Sequence, residues 1–309
     1  WNVTPFSSGR IRVRLSVENT LTGQREQERF SISASPLPQV LEHQLSSRAC
    51  GQLLCRMERA WVSDYLGLFS LPLLHNPRQE AAAFFWPAVH PLVLELQESS
   101  VPDSEGERYS QTKPGDDPTE LFALRDWREG DRLSRIHWKL SQKLGRPLVK
   151  ELGLPLSDHR LFLLDLNGTG TEADALLDAF ASLSSFLAEG EVAHRAAYWE
   201  PSAQVLCCRE VVGPEDLLPL WKELLASGGH ASLPTPRQED LPSGVSHVIY
   251  LCCRPQETVL EAVKLKWPSA RLSILYTDPE AERGPALAGK EARRVQPGQA
   301  AQELNGMAL

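Results

Sequence analysis

The sequence predicts two domains, an N-terminal all-β domain of the sandwich type and a C-terminal α/β domain. The chain has 309 residues, enough for two domains of ordinary size. Residues 10–17 alternate strictly between polar and apolar side chains, which is typical of a half-buried strand. From residue 159 a short apolar run is followed by apolar residues at helical spacing. With 42% hydrophobic and 23% charged residues, extensive disorder is excluded.

The predicted β domain covers residues 1–98. Its first strand, residues 10–17, would cover a core on one face and meet water on the other. Further strand candidates lie at 51–62, 66–74 and 84–96, and the prolines among them favour edge strands and loops. Short strands at this spacing predict a small β-sandwich. Residues 99–118 are polar and rich in Pro and Gly, so we expect a linker or surface loop there.

The predicted α/β domain covers residues 153–280. The run Leu161–Leu164 indicates a strand buried on both faces, and apolar residues between 173 and 187 indicate a helix that ends before Gly190. Strands and helices alternate after it, which predicts a mostly parallel sheet with helices on both faces. We expect residues 281–309, rich in Ala, Gly, Glu and Gln, to be a weakly structured or only partly helical tail.

Residues 119–152, between the two domains, carry an unusual concentration of basic and aromatic side chains. Residues 125–150 contain eight Lys or Arg and three acids, a local charge of +5 in a chain of net charge −8. Arg and Trp often anchor protein interfaces, which favours a partner-binding surface. One alternative is a groove for single-stranded nucleic acid, which the negative net charge disfavours. The other is an amphipathic segment that packs Trp127, Ile136 and Trp138 between the domains.

The same segment resembles the signature of bacterial proteins with "domain of unknown function 58". Two flanking stretches, Asp64–Phe69 and Phe85–Leu92, resemble further elements of that family, from which Tyr65 and Gln142 depart. The resemblance extends from about residue 8 to about residue 280. The signature residues of this chain are Arg125, Trp127, Gly130, Asp131, Arg135, His137, Trp138, Lys139 and Ser141.

The resemblance implies a membrane-anchored protein in which two transmembrane helices precede Trp1. It also implies that the α/β domain is von Willebrand A-like (Rossmann-type) and that the chain faces the cytoplasm. The implied function is a non-enzymatic scaffold or adaptor in cell-envelope assembly or maintenance. The implied partners are a MoxR-type AAA+ ATPase and a transglutaminase-like membrane protein, and the signature residues would bind the partner. Within the signature, Asp131 could instead form an internal ion pair with Arg132 or Arg135.

The turn after the first α/β strand offers an alternative function. Domains of the von Willebrand A type often bind a divalent cation through such a turn, and Asp165, Asn167 and Thr169 supply oxygen ligands that Mg²⁺ accepts. This predicts a metal-dependent hydrolase or a cation-gated binding domain. However, the fourth strand ends in Cys252-Cys253-Arg254, where an Asp would be wanted. The Asp165 carboxylate could equally bond loop amides while a threonine caps the helix.

Other motifs give no support for catalysis. The sequence lacks zinc-ligand spacings, a Gly-x-Ser-x-Gly elbow and a Walker-type phosphate loop. We therefore expect no enzymatic activity and no cofactor apart from the Mg²⁺ considered above, and for His137 a packing or hydrogen-bonding role. Two Cys-Cys pairs lie in apolar runs, which predicts buried thiols in a reducing compartment.

Overall fold

The fold, given by a computed structural model, is mixed α/β with several separate sheets. None of the helices that the structure describes has the length and apolar character needed to cross a bilayer. The described residues are 9–33, 35, 40, 42, 44–47, 49–64, 66–73, 80–96, 101–102, 108–110, 113–157, 159–168, 170–227, 233–283, 287 and 291–309.

The N-terminal strands form one antiparallel sheet in the order β2-β1-β3-β4, with β5 also paired to β3. Its strands are β1 (Gly9–Asn19), β2 (Arg25–Ser33), β3 (Gly51–Asp64), β4 (Ser70–Leu73) and β5 (Glu80–Phe85). The described residues of this region therefore hold one sheet, and the predicted sandwich needs correction. Leu21 and Cys50, at one end of the sheet, belong to the core of the C-terminal domain, so that domain covers the end of the sheet.

The segment predicted as a linker pairs with a strand that lies beyond the signature. Two short strands, β6 (Val101–Pro102) and β7 (Arg108–Tyr109), flank β10 (Pro155–Ser157) on either side. The signature itself lies on and between β8 (Asp117–Asp126) and β9 (Leu148–Gly153), an antiparallel pair. The linker prediction is thus wrong for the strand-forming residues, and the boundary at residue 119 falls inside a strand.

The C-terminal domain is a six-stranded sheet with helices on both faces, as predicted. Its strand order is β13-β12-β11-β14-β15-β16, the 3-2-1-4-5-6 order of doubly wound sheets, and the edge strand β13 is antiparallel. The strands are β11 (His159–Asp165), β12 (His194–Glu200), β13 (Val205–Val211), β14 (Val245–Cys252), β15 (Arg271–Tyr276) and β16 (Glu291–Arg294). The helices are α1 (Trp138–Leu144, in the signature), α2 (Gly170–Glu189), α3 (Leu217–Ala226), α4 (Glu257–Lys266) and α5 (Ala300–Leu304).

Alternate residues of the central strand β11 enter two separate cores. Phe162 packs with α2 and α3, whereas Leu161 and Leu163 pack with α4 on the opposite face. Burial on both faces explains why this strand is a continuous apolar run in the sequence.

The prediction of a weakly structured tail is wrong for the described residues after 290. There β16 extends the sheet in parallel with β15, and α5 packs on α2. Leu304, Met307 and Leu309 are buried in the same core as α2. These apolar side chains fix the chain end because leaving them in water would forfeit their burial energy.

Three polar side chains along α2 fasten the two domains together. Asp174 accepts a hydrogen bond from the Cys50 amide (2.6 Å), and Asp178 accepts one from the Ala88 amide (2.7 Å). One turn further, Ser182 accepts from the His90 amide at 3.0 Å. Residues four apart share one face of a helix, so these three acceptors form a row along the N-terminal chain.

Candidate functional site

The signature segment comprises the end of β8, from Arg125 onward, and the connection that leads from β8 to β9. Backbone hydrogen bonds close this connection at its base. The Trp127 amide donates to the Pro147 carbonyl at 3.0 Å, and the His137 amide donates to the Leu148 carbonyl at 2.9 Å. Ile136, which is buried, forms an isolated bridge with Val149. The long connection is therefore tied back to β9 twice and has a defined shape.

Arg125 is the centre of this segment. Its guanidinium donates two hydrogen bonds of 2.7 Å to the two carboxylate oxygens of Asp131, and its Nε donates to Glu151 at 2.9 Å. The Arg128 amide also donates to Asp131, at 2.7 Å. These donors, Arg125 first, lower the pKa of Asp131 to about 2. The two carboxylates raise the pKa of Arg125 above its usual value, so the pair stays charged.

The internal ion pair that we considered from the sequence thus exists, with a different arginine. Asp131 pairs with Arg125, six residues before it, rather than with Arg132 or Arg135. Arg135 instead forms an ion pair with Asp116, which is largely exposed. Arg125, Asp131 and Arg135 are therefore engaged within the segment, and their first role is to hold its shape.

His137 and Ser141 attach α1 to β9. His137 Nδ1 accepts from the Leu140 amide at 3.3 Å, and the His137 carbonyl accepts from the Ser141 hydroxyl at 3.0 Å. That same hydroxyl accepts from the Leu148 amide at 2.9 Å. Gly130 (φ +101°) and Gly145 (φ +65°), which flank this arrangement, adopt backbone conformations that favour glycine.

The remaining signature side chains point to solvent. Trp138 is 63% exposed and Trp127 is 37% exposed, so of the three residues expected between the domains only Ile136 is buried. Leu133 and Leu144 are also exposed. Within the described residues, no acidic side chain forms an ion pair with the exposed cations Arg128, Arg132, Lys139 and Lys143. We call Leu133, Trp138, Lys139, Lys143 and Leu144 the presented surface.

A cleft of about 440 Å³ opens beside Arg125. Arg132, Arg135 and Lys150 line it, together with the acids that already pair with Arg125 and Arg135. In the described part of the chain, Arg132 and Lys150 have no acidic partner. A carboxylate that entered this cleft would find two cations to bind.

The Asp165 turn is occupied by the protein's own donors. Asp165 is buried and accepts hydrogen bonds from the Leu233 amide (3.1 Å), the Tyr250 hydroxyl (3.1 Å) and the Gln256 amide group (2.7 Å). Burial raises the pKa of Asp165 above its ordinary value, although these donors act against the rise. Asn167 is exposed, and Thr169 lies outside the described residues.

These contacts fit a structural turn better than a cation site. The described residues contain no group of three His, Cys, Asp or Glu side chains placed to hold a metal ion. Arg254, which could have pointed toward Asp165, instead forms an ion pair with Asp278 on the next loop. A Cβ on Gly168 would collide with the Cys253 thiol, so the turn packs tightly on the end of β14.

Two buried histidines lie at the opposite end of the same sheet. His194 shares a 2.7 Å hydrogen bond with Ser184, and His247 shares one of 2.9 Å with Ser273. Burial lowers the pKa of each to about 4, so both are neutral at physiological pH. All six cysteines are free thiols; Cys252 and Cys253 are buried as predicted, whereas Cys208 is exposed, so the prediction of buried thiols is wrong for Cys208. Desolvation is the main cause that raises the pKa of each thiol above its ordinary value. Thiols with raised pKa values are poor nucleophiles.

Comparison with protein-family models, with curated proteins and with solved structures finds no match for this chain. The resemblance of its signature to the domain-of-unknown-function 58 family therefore rests on the residues alone. What the structure adds is the arrangement of those residues.

Proposed function

We propose that this protein is a non-enzymatic adaptor that binds a protein partner through the presented surface. The observation that carries the proposal is that some signature residues hold the segment together by internal hydrogen bonds while others are exposed to solvent. Arg125, Asp131, His137 and Ser141 are engaged inside the segment, whereas Trp138 and Lys139 face solvent. A large aromatic and unpaired cations on a fixed backbone are typical of binding hot spots, since little ordering is lost on binding.

The charges of this surface specify the kind of partner. Lys139 follows Trp138 at the start of α1, Lys143 lies one turn after Lys139 on the same helix, and the cleft contributes Arg132 and Lys150. An acidic patch with an apolar centre is complementary to this arrangement. The resemblance of the signature supports a MoxR-type AAA+ ATPase as that partner, with a transglutaminase-like membrane protein as a further component.

The resemblance also supports the setting of this adaptor. On this proposal the chain belongs to a membrane-anchored bacterial protein, lies on the cytoplasmic face and acts in cell-envelope assembly or maintenance. The C-terminal domain would be von Willebrand A-like, which agrees with a mostly parallel sheet and helices on both faces. The contacts of Asp165 support a binding role that does not depend on a cation at that turn.

A charge reversal tests the proposal. The Kd for a purified MoxR-type ATPase from the same genome would be measured for Lys139→Glu and for Lys264→Glu, a matched change on the exposed side of α4. We expect Lys139→Glu to weaken binding about tenfold or more and Lys264→Glu to leave it unchanged. Both melting temperatures should stay near wild type, because surface changes alter stability by about 0.5 kcal/mol or less. Equal Kd values for the two variants would refute the proposed surface.

A further inference from the structure

The turn between β3 and β4 presents large apolar side chains to solvent. The Phe69 amide donates to the Asp64 carboxylate at 2.8 Å, and the Asp64 amide donates to the Phe69 carbonyl at 3.1 Å. Leu66, Leu68 and Phe69 are between 72% and 76% exposed. The turn is hydrogen-bonded across its base, so this exposure belongs to a defined structure. Apolar groups clustered in this way usually mark a site of interaction.

One face of the N-terminal sheet carries a group of arginines that ends at this turn. Arg10, Arg12 and Arg14 alternate along β1 and so share a face. Directly opposite Arg14 lie Arg29 on β2 and Arg59 on β3. We call these five residues the arginine face. The Arg14 guanidinium lies 5.4 Å from the centre of the Trp61 ring, and the other four arginines are exposed.

The arginine face is not neutralised by its neighbours. Among the described residues, no acidic side chain forms an ion pair with any of its five arginines. Two acids further from the turn already have other partners, since Glu58 pairs with Arg25 and Glu80 pairs with Arg56. Like charges directly across strands destabilise a sheet, so Arg14, Arg29 and Arg59 together favour an anionic ligand.

The arginine face and the apolar turn are continuous. Arg10 lies opposite Ser63, one residue before the turn begins, and Arg14 lies about 14 Å further back along β1. A groove of about 330 Å³ on this face is lined by Arg12, Arg14 and Arg29. The sheet therefore offers cations along its face and aliphatic and aromatic groups at its tip.

We propose that this end of the N-terminal sheet binds the surface of an anionic phospholipid bilayer. Leu66, Leu68 and Phe69 enter the region below the headgroups, and the arginine face binds the lipid phosphates. A nucleic acid would also satisfy the arginines, but it would leave the three apolar side chains in water. An anionic bilayer accepts both parts. This inference concerns the N-terminal sheet alone and does not depend on the proposed adaptor function.

Vesicle binding tests the inference with the whole chain. Sedimentation with phosphatidylglycerol vesicles and with phosphatidylcholine vesicles would be compared for wild type, for Leu68→Ser and for Arg12→Glu/Arg29→Glu. Leu265→Ser is the matched apolar control, because Leu265 is 76% exposed on α4. Lys222→Glu/Lys264→Glu changes the net charge equally at exposed sites of the other domain. A melting curve for each variant establishes that it is folded.

We expect wild type to bind phosphatidylglycerol vesicles, more weakly at high salt, and not phosphatidylcholine vesicles. Leu68→Ser and the double arginine variant should each bind about tenfold more weakly, while both controls bind as wild type does. Equal losses of vesicle binding in the controls would overturn the inference, because net charge or non-specific apolar contacts would then explain the binding. It would also be overturned if wild type did not bind phosphatidylglycerol vesicles, whether or not it bound a single-stranded oligonucleotide through the same arginines.

Discussion

The guanidinium of Arg125 donates to both carboxylate oxygens of Asp131, at 2.7 Å each, from a strand to a loop six residues later. Bidentate pairs of this kind fix orientation as well as distance. Because Glu151 on β9 holds the same guanidinium, three parts of the signature meet at one side chain. These hydrogen bonds fix the backbone of the segment that presents Trp138 to solvent.

Loss of this pair should loosen the signature segment. Asp131→Asn removes the charge and leaves one acceptor oxygen, so Arg125 loses half of the pair. Hydrogen–deuterium exchange should become several-fold faster in residues 127–147 and stay unchanged in α2. Asp126→Asn is the control, because the Asp126–Arg146 pair is exposed on both sides and contributes little. Equal protection in the two variants would contradict the role given to Arg125.

Removing the Asp165 carboxylate should destabilise the α/β domain with or without metal. Asp165→Ala leaves the buried Tyr250 hydroxyl and Leu233 amide without their acceptor, at a cost of about 2–3 kcal/mol. The melting temperature should fall, and millimolar Mg²⁺ or Mn²⁺ should not shift it in wild type or variant. A metal-dependent rise in the melting temperature of wild type that Asp165→Ala abolishes would restore the cation site. Such a rise would be visible, since a metal ion in large excess over its Kd stabilises the folded protein measurably.

The two buried histidines should make the protein less stable in acid. A histidine with a pKa of about 4 when folded and 6.5 when unfolded takes up its proton preferentially on unfolding. The contribution of each neutral histidine to the free energy of unfolding, about 3 kcal/mol, is present above pH 6.5 and is lost as the pH falls toward 4. Urea unfolding at pH 7.5 and 4.5 should show this loss reduced in His194→Gln. An undiminished loss in that variant would exclude His194 as its source.

Asp178 should have the opposite effect on the pH dependence of stability: it should make the folded protein less stable at neutral pH than in mild acid. Burial, with the nearby charge of Asp174, raises its pKa to about 6, so its charged form is costly in the folded protein above that pH. Asp178→Asn keeps an acceptor for the Ala88 amide without the charge. The variant should be about 1 kcal/mol more stable than wild type at pH 7.5, and this advantage should be about half as large at pH 5, because it is lost fully only as the pH falls toward the ordinary carboxyl pKa of 3.8. Asp240→Asn, at an exposed site, should show no such difference between the two pH values.

Periodicity was sufficient to predict the α/β domain. The strands β11, β14 and β15 have apolar runs because most of their residues are buried. The helices α2 and α4 have apolar residues at helical spacing because one side of each is buried in the core. By contrast, β16 has the sequence Glu-Ala-Arg-Arg and is held by pairing with β15, which no local pattern reveals. The strands β6 and β7 are two residues long and exist through their pairing with β10.

The candidate site was predictable in composition and not in geometry. The concentration of Arg, Lys and Trp indicates residues 119–152 as the candidate site. Nothing in the spacing, however, indicates that Asp131 forms its ion pair with Arg125. The row Asp174, Asp178 and Ser182 has helical spacing, yet its partners are backbone amides far away in sequence. The arginine face could have been inferred from the alternation at residues 10–14, whereas Arg29 and Arg59 joined it only through strand register.

The most direct test of the account is the contribution of Trp138 to partner binding. The Kd for the purified MoxR-type ATPase would be measured for Trp138→Ala and for Leu265→Ala, both exposed apolar positions, beside their melting temperatures. We predict that Trp138→Ala binds about tenfold or more weakly at an unchanged melting temperature, and that Leu265→Ala binds as wild type does. Wild-type affinity in Trp138→Ala, or a loss that accompanies unfolding, would contradict it.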